Sequence, residues 1–414
     1  MPLSSYLTPG VYVEEVPAGP RPIQAVGTST AAFVGVAPNA GARLNQAVAI
    51  NSWTQFLKEF VPQGAASTPL SNAVFGFFQN GGHRCYCVNV GKDQPIAGGG
   101  EGRTGVDVLE EIDEVNIVAA PGYTSVGDYD ALLTHCEKLK NRVAVLDAPE
   151  DVPDIDLLAQ VGTASSSPKP AKPGSGAPDD KSATPPVKPQ GLRPRISDRG
   201  YGAFYFPWIT IRDPLSPKTL VDVPPSGHLA GIYARTDATR GVHKAPAGSG
   251  EPIRGALNVK CRLTDAEQGS LNQNGVNCIR FFPREGILVW GARTVADAAN
   301  DMRYLNVRRL FNMIEESIGR ATRWVVFEPN DMALWKAIRR DITAFLTLVW
   351  RDGALMGATP EQAFFVQCDA ETNPPEVIDA GQVVTLIGLA PVKPAEFIIF
   401  RIGQHAGGVE VETT

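Results

Sequence analysis

Five short apolar runs govern what this chain can become: "TAAFVGVA" (30–37), "HRCYCVNV" (83–90), "VNIVAAP" (115–121), "RVAVLDAP" (142–149) and "GAFYFPWI" (202–209). A strand with one face in water alternates apolar and polar residues. These runs are apolar almost throughout, the mark of strands covered on both faces, as in a parallel sheet. Helical patterns fall between several of them, in "WTQFLKEFV" (53–61), "PLSNAVFGFFQN" (69–80) and "DYDALLTHCEKLKN" (128–141). Strands alternating with helices predict an α/β layer fold on a largely parallel sheet.

Residues 163–190, "TASSSPKPAKPGSGAPDDKSATPPVKPQ", hold seven prolines and no aromatic residue. Such a stretch cannot bury enough apolar area to offset the entropy of ordering it. It is expected as a disordered surface insertion or a linker, and the return of the sheet pattern at Tyr201 favours an insertion.

The last third changes character. In "NVRRLFNMIEESIGR" (306–320), Val307, Leu310, Phe311, Ile314 and Ile318 form one helical stripe, while Arg308, Arg309, Asn312, Glu315, Glu316 and Arg320 lie off it. That spacing predicts a helix with one buried side. "RWVVFEP" (323–329) reads as a strand, and "PNDMALWKAIRRDITAFLTLVWRDG" (329–353) as a second helix, with Asn330 or Asp331 at its start and Gly353 at its end. Leu334, Ile338, Ile342, Phe345, Leu346 and Val349 make its apolar stripe, and Lys336, Arg339 and Arg340 give it a basic outer surface. Strands are expected again in "AFFVQCD" (363–369), "QVVTLIGLAP" (382–391) and "PAEFIIFRI" (394–402).

At 414 residues two domains are the default. A net charge of -6 with interspersed signs argues against nucleic acid as a partner, because phosphate recognition needs clustered Lys and Arg. The chain has no run of 18 apolar residues and no signal-peptide pattern, so it is expected in the cytosol, without membrane insertion. Six cysteines, at 85, 87, 136, 261, 278 and 368, form no CxxC pair and are expected as buried thiols.

Three constellations invite a chemical reading. Gly100, Gly102 and Gly105 satisfy GxGxxG, with Asp128 at a plausible distance for a ribose contact, but the preceding strand ends near Val90, too early for a dinucleotide turn. His83, Cys85 and Cys87 share one face of a strand, yet ligands about 7 Å apart along an extended chain do not make a tetrahedral metal site. Ser226 and His228 stand two apart, with Asp147 at the end of a strand where α/β enzymes place carboxylates. That spacing points the two side chains apart on a helix, so Ser226 is expected to cap a helix instead. No catalytic, cofactor-binding or metal residue is expected from these patterns, and no cofactor.

Both ends of the chain look like lone strands. "YLTPGVYVEEV" (6–16) alternates through Val11, Tyr12, Val13, Glu14 and Val16, and the tail alternates through Val409, Glu410 and Val411. An unpaired strand presents N–H and C=O groups that pair well with an exposed sheet edge on another chain.

The blocks "YLTPGVYVEEVPAGPRPIQAVGTSTAAFVG", "YFPWITIRDP", "VPPSGHLAGIYARTDATRGVHKAPAG", "YLNVRRLFNMIEESI", "LWKAIRRDITAFL" and "GALMGATPEQAFFVQCD" resemble the tail sheath proteins of contractile phage tails and related injection systems. The resemblance implies a non-enzymatic subunit that stacks as six-fold rings into a helical sheath around an inner tube, on a baseplate, and contracts to drive the tube through a target envelope. It implies an N-terminal arm (1–25), an outer α/β domain (26–295), a smaller tube-facing C-terminal α/β domain (296–402) and a C-terminal arm (403–414). The arms would complete a sheet in neighbouring copies. Partners would be further copies, the inner tube protein, baseplate and cap proteins, and sister sheath proteins. Lys336, Arg339 and Arg340 are candidates for the tube contact. Two other readings stay open: an α/β hydrolase or nucleotide-dependent enzyme with an unrecognised site, and a cytosolic binding protein with disordered arms.

Overall fold

The computed structural model describes residues 22–99, 102–163 and 191–399. Elements follow in the order β1 (Ala31–Gly35), β2 (Ala47–Ile50), α1 (Trp53–Phe60), α2 (Pro69–Gln79), β3 (Cys85–Asn89), β4 (Ile117–Ala119), α3 (Val126–Leu139) and β5 (Val143–Asp147). After residues 164–190 come β6 (Gly202–Phe206), β7 (Ile209–Arg212), β8 (Leu220–Val223), α4 (Ser226–Arg240), β9 (Asn258–Val259), α5 (Asp265–Gln273), β10 (Val276–Phe282) and β11 (Gly286–Val289). The remainder contains α6 (Leu305–Ala321), α7 (Met332–Arg351), α8 (Pro360–Ala363), β12 (Phe364–Gln367), α9 (Pro375–Asp379) and β13 (Leu386–Leu389).

Eight strands form one sheet in the order β11-β10-β6-β5-β4-β1-β3-β2. Its six inner strands are parallel, and β2 and β11 pair antiparallel at the two edges. The two faces explain the continuous apolar runs. Along β1, Ala31 and Phe33 enter the core built with Phe56 of α1, Phe77 of α2 and Leu229 of α4, whereas Ala32 and Val34 enter the one built with Leu132 and Leu133 of α3. With side chains alternating every residue and helices on both sides, no position of such a strand meets water.

Local signals set the helix ends. Thr68 and Ser71 form a reciprocal cap ahead of α2 with Pro69 at its first position, and Ser125 and Asp128 do the same for α3. Helices α2 and α4 lie unusually close. A Cβ on Gly227 would sit 2.2 Å from Ala73 Cα, and one on Gly231 would sit 2.5 Å from Phe77 O, so backbones meet where side chains normally intervene.

Compactness divides the described residues into two units, one of 27–312 with 391–399, the other of 313–390 with 22–26, the division falling inside α6. The first holds the large sheet. The second is organised on α7, whose buried residues include Leu334, Ile338, Ile342, Phe345, Leu346 and Val349, with Asp331 capping its start by accepting from Ala333 and Leu334 N–H groups. A two-stranded antiparallel sheet, β12–β13, lies against it.

Four expectations need correction. The segment 323–329 is not a strand: Arg323–Val325 makes a 3-10 turn and Phe327 takes a left-handed φ of 71°. Its β-prone residues find no partner strand among the described residues, and strands depend on pairing more than on propensity. Residues 394–399 likewise carry no strand. Helix α6 is buried on more than one side, since Arg308 and Arg309 are 1% and 3% exposed. The Arg308 guanidinium lies 4.8 Å from the Tyr201 ring centre and its Nε donates to Asn312 Oδ1 at 2.7 Å, so its charge is accommodated rather than solvated. Finally, Ser226 is the first residue of α4, not its cap, which is Pro225 without a side-chain cap bond.

Candidate assembly surface

The crevice outside the carboxyl ends of parallel strands is where α/β enzymes bind ligands. Here Asp147, ending β5, is filled with local partners: its Oδ1 accepts from Ser226 N–H at 2.8 Å and its Oδ2 from Ser226 Oγ at 2.6 Å. The carboxylate therefore serves as the cap of α4 from another part of the chain. Burial pushes its pKa up to about 7, against the hydrogen bonds from Ser226 and Gly122 that favour the charged form.

His228 is fully buried, faces Gly76 of α2, and has no hydrogen-bond partner for either ring nitrogen, so burial lowers its pKa to about 4. Ser226 and His228 do not form a nucleophile–base pair; Ser226 is engaged by Asp147 and the imidazole is a neutral packing group.

The other constellations resolve similarly. Cys85 and Cys87 are core residues of β3, and His83 is exposed at its start. Gly100 lies outside the described residues. Gly105 begins a 3-10 turn at φ 55°, where a Cβ would come 2.1 Å from Ile96 O, so close backbone approach accounts for the glycine. Asp128 is spent on capping α3. Asp107, Glu110 and His135 each place a potential ligand atom within 4.8 Å of the others, a cluster the sequence reading missed. Lys138 Nζ already donates to Glu110 Oε1 at 2.5 Å and Arg142 Nη1 lies 3.3 Å from His135 Nε2, so a divalent cation would face two positive charges.

The 313–390 unit leaves interaction capacity uncovered. A two-stranded sheet is marginal alone, and both outer edges of β12–β13 carry no further strand among the described residues. Phe365 and Leu386 are each 52% exposed on it, and Phe327, Met332, Leu348 and Met356 are exposed elsewhere in the unit. Lys336, Arg339 and Arg340 lie on the exposed side of α7, Arg340 Nε donating to the buried Asp341 Oδ1 at 2.9 Å. In the sheet unit, the last described residues, Phe397, Ile398 and Ile399, are 73–78% exposed. Val11, Tyr12, Val13, Glu14, Val16, Val409, Glu410 and Val411 lie outside the described residues.

Open sheet edges and uncovered apolar side chains are the features of a chain that pairs with further chains. Comparison with known proteins gives the family. The phage tail sheath protein central domain matches residues 197–295 and the phage tail sheath C-terminal domain matches 297–404. A solved sheath complex of an extracellular contractile injection system (PVC) in the contracted state is 31% identical, covering 98% of this chain and 99% of its own with TM-score 0.74. The baseplate structure of the anti-feeding prophage (AFP) includes a chain 29% identical, covering 96% and 99%, with TM-score 0.70. The tail sheath protein of Vibrio phage KVP40 is 32% identical over 177 residues, which is 42% of this chain and 26% of that protein; that of Enterobacteria phage T4 is 26% identical over 191 residues, 46% and 28%. The match thus spans about a quarter of the length of those two phage proteins. The chain belongs to the contractile tail sheath family, whose members are structural proteins, and the enzyme reading is not supported.

Proposed function

We propose that the chain is the repeating subunit of a contractile sheath, stacking as six-fold rings around an inner tube and contracting to drive that tube through a target envelope. The observation that carries this reading is the β12–β13 sheet, left with two unpaired edges in a chain whose two ends are patterned as strands. Residues 11–16 from one neighbour and 409–411 from another would pair with those edges, each link adding a handful of backbone hydrogen bonds worth about 0.5–1.5 kcal/mol apiece. Because such links run head to tail, they propagate as an open lattice.

On this reading residues 26–295 form the outer domain and 296–402 the inner, tube-facing one, with the basic side of α7 as a tube contact through Lys336, Arg339 and Arg340. The likeness to chains solved within a baseplate and within a contracted sheath supports self-assembly and a baseplate partner. Cap proteins and sister sheath proteins would complete the particle, a phage tail or a released or membrane-docked injection machine assembled in the cytoplasm. Electron microscopy of the expressed chain tests the reading: striated hollow tubes support it. Deleting residues 1–16 should leave a folded subunit that no longer polymerises, and sheath of normal length from that truncation would refute the donated-strand arrangement.

A further inference from the structure

Two ion pairs, one buried and one partly buried, hold irregular chain near the two ends of the sheet unit. On the N-terminal side, Thr28 lies outside any helix or strand. Its Oγ1 donates to Asp237 Oδ2 at 2.6 Å, and its carbonyl accepts from Arg309 Nη2 at 3.0 Å. Arg309 of α6 grips Asp237 of α4 with two parallel bonds of 2.9 and 2.6 Å, and its guanidinium sits 4.9 Å from the Tyr233 ring centre. The pair is 3% and 6% exposed. Burial pushes the Asp237 carboxyl up while the Arg309 guanidinium pulls it down.

On the C-terminal side, Arg293 Nε and Nη2 bind Glu396 Oε1 and Oε2 at 2.9 and 2.5 Å, at 12% and 16% exposure, with Tyr304 OH 3.4 Å from Oε2. Asn306 Nδ2 holds the Val392 carbonyl at 3.1 Å just upstream. Immediately beyond Glu396 the chain is exposed at Phe397.

We propose that these two arginine–carboxylate clamps are anchors for the arms, delivering tension from a linked neighbour to the large-sheet unit at Thr28 and Glu396. The proposal rests on the arm reading above. Neither Thr28 nor Glu396 belongs to a helix or strand, so the sheet and helices do not need them to form. What they do is tie otherwise irregular chain to α4, to α6 and to the stretch after β11. At Glu396 two charge-assisted bonds to Arg293 must fail together before the chain peels, and at Thr28 the hydroxyl bond to Asp237 and the carbonyl bond from Arg309 must do so.

The test uses the full chain with Glu396→Gln, Thr28→Val and the exchanged pair Arg293→Glu with Glu396→Arg. Two quantities are measured: the urea midpoint of unassembled subunit, and the rate at which assembled sheaths fragment under controlled shear, read from length distributions in electron micrographs. Glu396→Gln is expected to leave the midpoint close to wild type and to speed fragmentation about tenfold, the factor a lost charged hydrogen bond corresponds to, with the exchanged pair restoring most of it. Thr28→Val should act the same way at the other arm. Unchanged fragmentation in both single variants overturns the proposal, as does fragmentation that rises only in step with a lowered midpoint and is not rescued by the exchange. If wild-type chain forms no sheath, the assembly reading fails and takes the anchors with it. Robust wild-type sheath with indifferent variants sinks the anchors alone.

Discussion

Asp147 makes stability depend on pH with a sign opposite to that of most carboxylates. In the folded chain burial raises its pKa to about 7, whereas in the unfolded chain it titrates near the ordinary value of about 3.9. Between those two values the folded state binds the extra proton, so this group's contribution is greatest below the unfolded pKa and is lost as pH rises through about 7. From pH 5 to pH 8 the loss amounts to about 2.7 kcal/mol, two pKa units at about 1.36 kcal/mol each. Asp147→Asn removes the titration while keeping an acceptor for Ser226 N–H and a donor for Ser226 Oγ. Urea unfolding of unassembled wild-type and variant subunits, followed by circular dichroism at pH 5 and pH 8, isolates the term as a difference of differences. The variant should gain about 2–3 kcal/mol on wild type in going from pH 5 to pH 8. If it instead loses ground at pH 8, the ionised carboxylate is stabilising α4 as a charged cap and helix-end attraction outweighs desolvation, which would refute this account.

His228 has the reverse dependence. Its pKa is depressed to about 4, so its contribution is present above about 6.5 and fades as pH falls through about 4. His228→Leu, which removes two unpartnered buried nitrogens, should therefore gain about 2 kcal/mol on wild type between pH 8 and pH 5 in the same urea assay. Gly227→Ala should destabilise the subunit by about 3 kcal/mol or prevent soluble expression, because the atom the new methyl strikes is the Ala73 backbone; a urea midpoint equal to wild type would mean α2 and α4 can separate freely. Reversing Lys336, Arg339 and Arg340 together should leave the thermal midpoint within a few degrees, since exposed charges contribute little to folding, but should reduce extended sheath on tubes in a sedimentation assay. Undiminished sheath removes these three from the tube contact.

The parallel core was readable because its strands are buried on both faces, which leaves a signal in each run separately: β1, β3, β4, β5 and β6 all fall within the apolar stretches. Helix α7 was readable for the same reason, its stripe and its Asp331 cap being local. What escaped depends on residues far apart in sequence. Arg308 and Arg309 fall off the apolar stripe of α6, and nothing near them announces that Tyr201 and Asp237 wait to receive them. Asp147 and Ser226 were both conspicuous, yet only the fold shows that the carboxylate caps the helix the serine begins. A local clue to the close α2–α4 contact did exist, Gly227 and Gly231 four residues apart on one helix face, and passed unused. Residues 323–329 show the opposite case: the sequence is β-prone, yet propensity creates no partner strand, and the segment turns instead.

The close α2–α4 packing and the open edges of β12–β13 are two sides of one arrangement. An α/β enzyme keeps mobile loops at the carboxyl ends of its strands, because substrates must enter and leave there. In this chain Asp147 ties the end of β5 to the start of α4, and glycine contacts draw α2 against α4 with no side-chain cushion between backbones. A close-packed body of this kind resists continuous deformation, so a large rearrangement has to be taken up by the segments joining bodies. The proposed sheath role requires that division of labour. Two lattice packings must differ by how copies are placed, not by how each is folded, and only connections anchored firmly at their roots, as at Thr28 and Glu396, can bend through such a change without unravelling the chain that carries them.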